Sequence, residues 1–530
     1  MTPALGNAAS LASFLPELLL CGGIIVVLGV GLLVPWRPAP SRSREGLFLF
    51  LTLAALAASA LSTALGTSAP DRALFGGLMA RDAFGDYFKR LFAAAGAIVA
   101  LCAYRSSDIR GLGAPRPGGD TPDPAPSARD APLGAEWSAL LLSIVLGCNW
   151  MASATDLLMA YLGVEFVSIL SYVATGLSRA GRRSSEAALK YAIYGGAATG
   201  AMLYGFSLLF GLAGSTDLTA VRAAVVSAPP LTVAVAGALC LAGFAFKMAV
   251  VPFHMWCPDV YQGAPTPVAA LLSIAPKAAG FALAFRFLIG GAPLGSAPDA
   301  ARWLAGTGPA GTWTLVIAAL AAATMTLGNL AALAQTDMKR LLAYSSIAHA
   351  GTLLMALAVG DSGACEAMLL YLGIYLFMNM AAFLVVIAVA EGGEGESLVA
   401  FTGLGRRAPF ATFCLVVALF SLTGLPPTAG FVAKYAIFAA VIRRAMDGGG
   451  APLYVLGIVG VLNTVVSLVY YARVIRVMVL DRPTVPAAEF RVDRLHTALL
   501  AVATTPVVVL GIYARPLADL AARSVGLWSP

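Results

Sequence analysis

FKMAVVPFHMWCPDVYQGAPTPVAALLSIAPKAAG, residues 246–280, sets Lys247 and Lys277 inside apolar sequence, with Pro252 between them. The apolar run that passes through Lys247 begins near residue 231 and meets Pro252 before it should end. A proline inside a helix removes a donor and frees a carbonyl, and lipid satisfies neither. The break therefore belongs against protein or a hydrated cavity. A lysine at the centre of a bilayer costs roughly 2.5–3.5 kcal/mol on insertion scales. Arginine keeps its charge at any accessible pH, whereas a desolvated lysine can lose its proton near neutrality. The chain has only six lysines against 28 arginines, and three of the six (Lys247, Lys277 and Lys434) lie within long apolar segments. That choice of residue points to proton carriage.

Outward from this stretch the same class of sequence continues. Of 530 residues, 59% are hydrophobic and 12% charged, and the mean hydropathy is +0.84. Apolar stretches recur at the length needed to cross a hydrocarbon core of roughly 30 Å as a helix. They predict about 14 spans: 12–36, 46–66, 84–104, 136–153, 157–178, 186–212, 231–256, 265–289, 313–335, 340–360, 365–390, 409–440, 453–475 and 496–516. The fold class expected is an all-α polytopic membrane protein. The first span carries Glu17 and has no basic segment before it, so it is expected to remain rather than be cleaved as a signal peptide.

The basic residues give an orientation. With the N-terminus outside, 19 of them fall on internal connectors and 11 on the external side, which predicts that both termini are periplasmic in a bacterial inner membrane. The net charge of +7 is then a topology signal, and nucleic acid is not an expected partner. The seven cysteines are dispersed without a C-x-x-C pair, so no iron–sulfur or zinc centre is expected in this chain, nor any other cofactor. Gly306, Gly308 and Gly311 spell G-x-G-x-x-G, but Pro309 interrupts the pattern and a membrane span follows, so it reads as a connector.

Residues 105–134, rich in Pro, Gly, Arg and Asp, read as an irregular cytoplasmic loop, and 391–396 (EGGEGE) as a second polar connector. A second broken span covers 409–440, interrupted by Gly424, Pro426, Pro427 and Gly430 ahead of Lys434. The two breaks lie five spans apart. Five is odd, so two copies of one unit would sit inverted in the membrane, an arrangement common among transporters.

Several buried polar residues accompany the lysines. Glu165, mid-span in DLLMAYLGVEFVSILSYV, fits a proton path or a structural ion pair, and Lys247 is its expected partner. Lys277 follows Pro276, where it serves either a proton path or the freed carbonyls. His349 stands at i+3 from Ser346 and i+4 from Ser345, so all three approach one helical face. Imidazole's near-neutral pKa suits a relay, although a bonded core histidine fits equally. His254 and His496 read as interfacial. Glu186 and Lys190 have the spacing of a helical salt bridge. Tyr371 and Tyr375, at i and i+4, fit a hydrated path or aromatic helix packing, and Asn329 and Asn379 fit polar contacts between helices.

At these residues the chain resembles a known family. Residues 246–280, with MASATDLLMAYLGVE (151–165), SEAALKYAIYG (185–195), LAALAQTDMKRLLAYSSIAHAG (330–351) and SLTGLPPTAGFVAKY (421–435), look like the antiporter-like membrane subunits of respiratory complex I, and DVYQGAPTP resembles the subunit N type. The resemblance spans roughly residues 10–515. It implies inverted five-helix repeats at 136–290 (spans 4–8) and 313–475 (spans 9–13), a three-helix segment at 1–135 and a final helix in 476–530. It also implies a central proton-transfer axis, with Glu165 and Lys247 as a coupled pair, Lys277 central, His349 beyond it and Lys434 distal. Lys434 points to subunit N or L, because subunit M typically has glutamate there, and the expected lack of a long lateral helix favours N. Gln262 departs from the glutamate frequent in the sister subunits. The partners implied are subunit M, the lateral helix of subunit L, the small subunits A, J and K, and the lipid bilayer. The function implied is that of a non-redox subunit of a proton-translocating NADH:quinone oxidoreductase, the alternative being a subunit of a stand-alone cation/proton antiporter.

Overall fold

The computed structural model describes residues 6–33, 42–65, 72–104, 106, 134–178, 182–289, 311–482 and 492–525. The expected loop at 105–134 therefore lies outside the described residues except for Ser106 and Gly134, as do Gly306 and Gly308. The described residues are helical almost throughout. A short N-terminal α1 (Asn7–Ser13) leads into α2 (Leu15–Leu33), α3 (Arg42–Leu65) and α4 (Ala83–Ala103). The first half of the bundle follows as α5 (Gly134–Ser153), α6 (Leu157–Thr175), α7 (Arg182–Ala213), a short α8 (Leu218–Ser227), α9 (Pro230–Met248), α10 (Trp256–Gly263) and α11 (Thr266–Ile289). The second half holds α12 (Thr312–Leu333), α13 (Met338–Val359), α14 (Ser362–Glu391), α15 (Pro409–Thr423), α16 (Ala429–Arg444) and α17 (Gly450–Val479). α18 (Arg494–Ile512) and α19 (Arg515–Val525) complete the described chain, and a two-stranded ribbon pairs 72–74 with 79–81 ahead of α4.

Twelve stretches among the described residues are long and apolar enough to cross a membrane. One of them, 429–479, is 51 residues long and leaves helical geometry at Asp447 and Gly448, so it makes two passes, α16 and α17. Adding that pass and the 21-residue α4 to the twelve gives fourteen crossings, in the order the sequence predicted. α11, α13 and α14 form the centre, with 100%, 94% and 94% of their apolar windows buried, whereas only 22% of that of α2 is covered.

Both breaks fall where they were expected and share one geometry. α9 ends at Met248, and Ala249 takes a left-handed conformation (φ 57°), three residues before Pro252. α15 ends at Thr423, and Gly424 is left-handed (φ 87°), three residues before Pro427. The first break is larger than predicted. Residues 256–263, at and just beyond the expected end of the seventh span at 256, form the short helix α10. Pro258 is accommodated there because it sits in the first turn, where its missing N–H has no helical partner to lose.

A second correspondence relates the two halves. The Asp156 side chain caps α6, and its backbone forms a bridge with Asp217, beyond the far end of α7. In the second half Asp337 caps α13 and bridges to Ser397, beyond the far end of α14. A Thr-Asp pair opens the element each time (Thr155–Asp156, Thr336–Asp337). The paired backbone bonds match as well: Leu157 N–H to Thr216 O and Leu218 N–H to Thr155 O in one half, Met338 N–H to Glu396 O and Leu398 N–H to Thr336 O in the other.

Candidate functional site

Lys247 lies in the last turn of α9 and is 2% exposed. Its ammonium donates to Ser168 Oγ at 3.0 Å, on the buried face of α6. Glu165 sits one turn earlier on α6 and is only half-buried. The expected Glu165–Lys247 ion pair is therefore not a direct contact: no salt bridge joins them among the described residues, although the carboxylate remains within electrostatic reach of the ammonium. The ammonium bonds instead to the fully buried Ser168, one turn further along α6.

Lys277 stands at the centre of the fully covered helix α11. Its ammonium donates to Ser346 Oγ on α13 at 2.5 Å and to Cys257 Sγ on α10 at 3.6 Å, and lies 5.3 Å from the centre of the Tyr261 ring. A hydrogen bond from a charged group contributes about 1.5–3 kcal/mol, and a desolvated cation over an aromatic face about 2 kcal/mol. Together, at about 3.5–5 kcal/mol, these are enough to offset the insertion cost of one lysine. One turn along α13 from Ser346 is His349, whose Nδ1 is 2.5 Å from Tyr371 Oη, with the Tyr375 ring at 5.2 Å. The helical face read from Ser345, Ser346 and His349 is thus in use: Ser346 meets Lys277, His349 meets Tyr371, and Ser345 meets Tyr471 Oη at 2.5 Å.

Beyond His349 lies a small polar cavity of about 10 Å³, lined by His349, Lys434, Asn463, Ser467 and Tyr470 among others. Lys434, 7% exposed, donates to the carbonyl of Thr423 at 2.8 Å. That carbonyl belongs to the last residue of α15, where the break leaves it without a helical partner. One such bond does not cover the cost of the charge; the polar lining adds further partners, and the space beside the lysine is about that of one water. Asn329 and Asn379 join helices as expected: Asn329 bonds Asn463 and accepts from Tyr470, and Asn379 donates to Ser273 at 2.6 Å.

Two polar clusters escaped sequence reading. At the mouth of α10, Lys190 contacts Glu186 at 2.8 Å, as predicted, and also Asp259 at 2.7 Å. Asp259 is shared with Arg340 at 2.6 Å, and Gln262 bridges Arg340 to Asp337. Burial pushes the Asp337 carboxyl above its usual range, against the opposing pull of the Arg340 backbone N–H. Near the start of α4, Lys89, one of the eleven basic residues assigned to the external side, is buried, 2.8 Å from a fully buried Glu17. Asp82 and Arg286 form a bidentate pair at 2.6 and 2.7 Å that ties α4 to α11. His254 and His496, read as interfacial, are each 4% exposed. Helix packing covers both, which spacing along one segment does not reveal.

Residues 154–457 match the family described as NADH:quinone oxidoreductase/Mrp antiporter, transmembrane. The chain is 43% identical to NADH-quinone oxidoreductase subunit N of Anaeromyxobacter sp. (strain Fw109-5), over 98% of each sequence. It superposes on a chain of respiratory complex I from Thermus thermophilus with a TM-score of 0.72 and 29% identity, covering 96% of this chain and 99% of that one. A chain of the Mrp complex from Dietzia sp. DQ12-45-1b shares the fold, with a TM-score of 0.77 at 17% identity and 97% coverage of both.

Proposed function

The chain belongs to the subunit N family of NADH-quinone oxidoreductases, and on that premise we propose that it carries protons along the buried line Lys247, Lys277, His349 and Lys434, with Glu165 setting the charge balance at one end. What carries this reading is the continuity from Lys277 through Ser346 and His349 to the cavity shared with Lys434. Each group exchanges a proton with its neighbour or with water between them. The chain performs no redox step of its own; electron transfer elsewhere in the assembly supplies the energy. A change in charge at the half-exposed Glu165 alters the field at Lys247, which is how a neighbouring subunit communicates with the axis. The assembly is set in a bacterial inner membrane with both termini periplasmic, beside subunit M and the lateral helix of subunit L, and with subunits A, J and K.

The test is Lys247→Ala and Lys277→Ala, each in the assembled complex in membrane vesicles. NADH-driven proton pumping should fall about tenfold or more while NADH oxidation by an artificial acceptor persists. Wild-type pumping in both variants would overturn the reading. The resemblance to the Mrp complex keeps a second reading in view, a cation/proton antiporter subunit without a redox partner. Membranes lacking this chain distinguish the two, because quinone-linked NADH oxidation is lost in the first case and kept in the second.

A further inference from the structure

The eight residues of α10 present two opposed faces. Cys257 and Tyr261, at i and i+4, contact Lys277. Asp259 and Gln262, roughly opposite at 100° per residue, contact the polar cluster at the mouth. α13 is built the same way along its length. Its first turn supplies Arg340 to Asp259, and two turns on it supplies Ser346 to Lys277. The surroundings of Lys277 are therefore made by two elements that are also joined to each other at a second place. That second joint is Asp259: Oδ1 takes Arg340 of the second half at 2.6 Å, and Oδ2 takes Lys190 of the first half at 2.7 Å. The other groups facing it are Glu186 on α7, Gln262 on α10 and, through Gln262, Asp337 at the start of α13.

We propose that Asp259 is a positioning residue for Lys277: its carboxylate fastens α10 to α13 and to α7, and so holds Ser346 and Cys257 at transfer distance from the lysine. The inference rests on the proton-carrying reading above. The ion pairs are too exposed to matter much for folding, with the Asp259 side chain 33% exposed, Lys190 41% and Arg340 26%. Transfer geometry is far more sensitive, because a displacement of about 1 Å can cost about a hundredfold in rate. The contact thus has a small effect on stability and a large effect on proton transfer. It also explains an acidic residue on a short helix whose other side is committed to the axis.

The experiment is Asp259→Asn in the assembled complex, read as protons pumped per NADH oxidised, with the maximal rate and the KM for NADH measured together. Pumping should fall about tenfold with an unchanged KM, and Asp259→Glu should recover it to within about twofold. Wild-type pumping in Asp259→Asn overturns the proposal, as does a loss that Asp259→Glu fails to recover at all. Where Asp259→Asn prevents assembly, Arg340→Gln breaks the same joint from the α13 side, and normal pumping there is equally fatal. Lys277→Ala separates the two readings. If it pumps normally, the axis itself is wrong; if it fails while Asp259→Asn pumps normally, only the positioning role is wrong.

Discussion

Lys434 donates to the carbonyl oxygen of Thr423 at 2.8 Å, so the second broken helix is closed by the side chain that the break exposes. The residue between them geometrically is Gly424. It is left-handed at φ 87°, and a Cβ added there would come within 2.8 Å of Lys434 Cδ.

Gly424→Ala follows from that contact. A non-glycine residue in left-handed geometry costs about 1–2 kcal/mol, and here the added methyl also pushes the lysine stem off its carbonyl. Pumping should fall several-fold, with only a modest drop in thermal stability of the isolated complex. Unchanged pumping together with lowered stability would mean that the Lys434–Thr423 contact is incidental to transfer.

Tyr371→Phe removes the hydroxyl bonded to His349 Nδ1, whereas Tyr375→Phe alters a ring that only packs beside the imidazole. The bond to one ring nitrogen decides which of the two is free to exchange a proton. Tyr371→Phe should slow pumping by about tenfold, equivalent to about 1.4 kcal/mol, and Tyr375→Phe by much less. Equal rates in the two variants would remove the tautomer argument.

Lys89→Met should act on stability instead of transport. It strands the buried Glu17, and breaking a buried pair costs about 3–5 kcal/mol. Less subunit should accumulate in the membrane, while each complex that does assemble pumps normally. Adding Glu17→Gln should recover most of the accumulation. If the double variant is as poor as the single, the pair is not what the α2–α4 contact depends on.

The three membrane lysines were legible because residue type and apolar surroundings suffice to mark a buried charge. The breaks were legible because Pro252 and Pro427 conflict with the runs that contain them. The contact of Lys247 with Ser168 instead of Glu165 was not, since helical spacing places both on neighbouring faces and only the rotation of α6 chooses between them. Asp259 was hidden for another reason. In CPDVYQG it looks like one more charged residue in a connector, and its partners are 69 and 81 positions away in sequence. The burial of Lys89 was hidden because charge at a span end ordinarily means solvent, and its partner lies on α2.

The two interrupted spans have an electrical consequence. A continuous transmembrane helix keeps its poles at the two surfaces, but α9 and α15 end at breaks within the bundle, where Met248 and Thr423 are buried, and so bring their carbonyl ends inside the protein. The C-terminal end of a helix carries about half a negative charge. Lys247 occupies the last turn of α9, and Lys434 touches the last residue of α15. Each lysine is therefore held at the negative pole of a half-helix, in a field made by backbone dipoles that no side-chain substitution removes. Rewinding either break would withdraw that pole, which makes the continuity of the helix itself a control on where a proton rests.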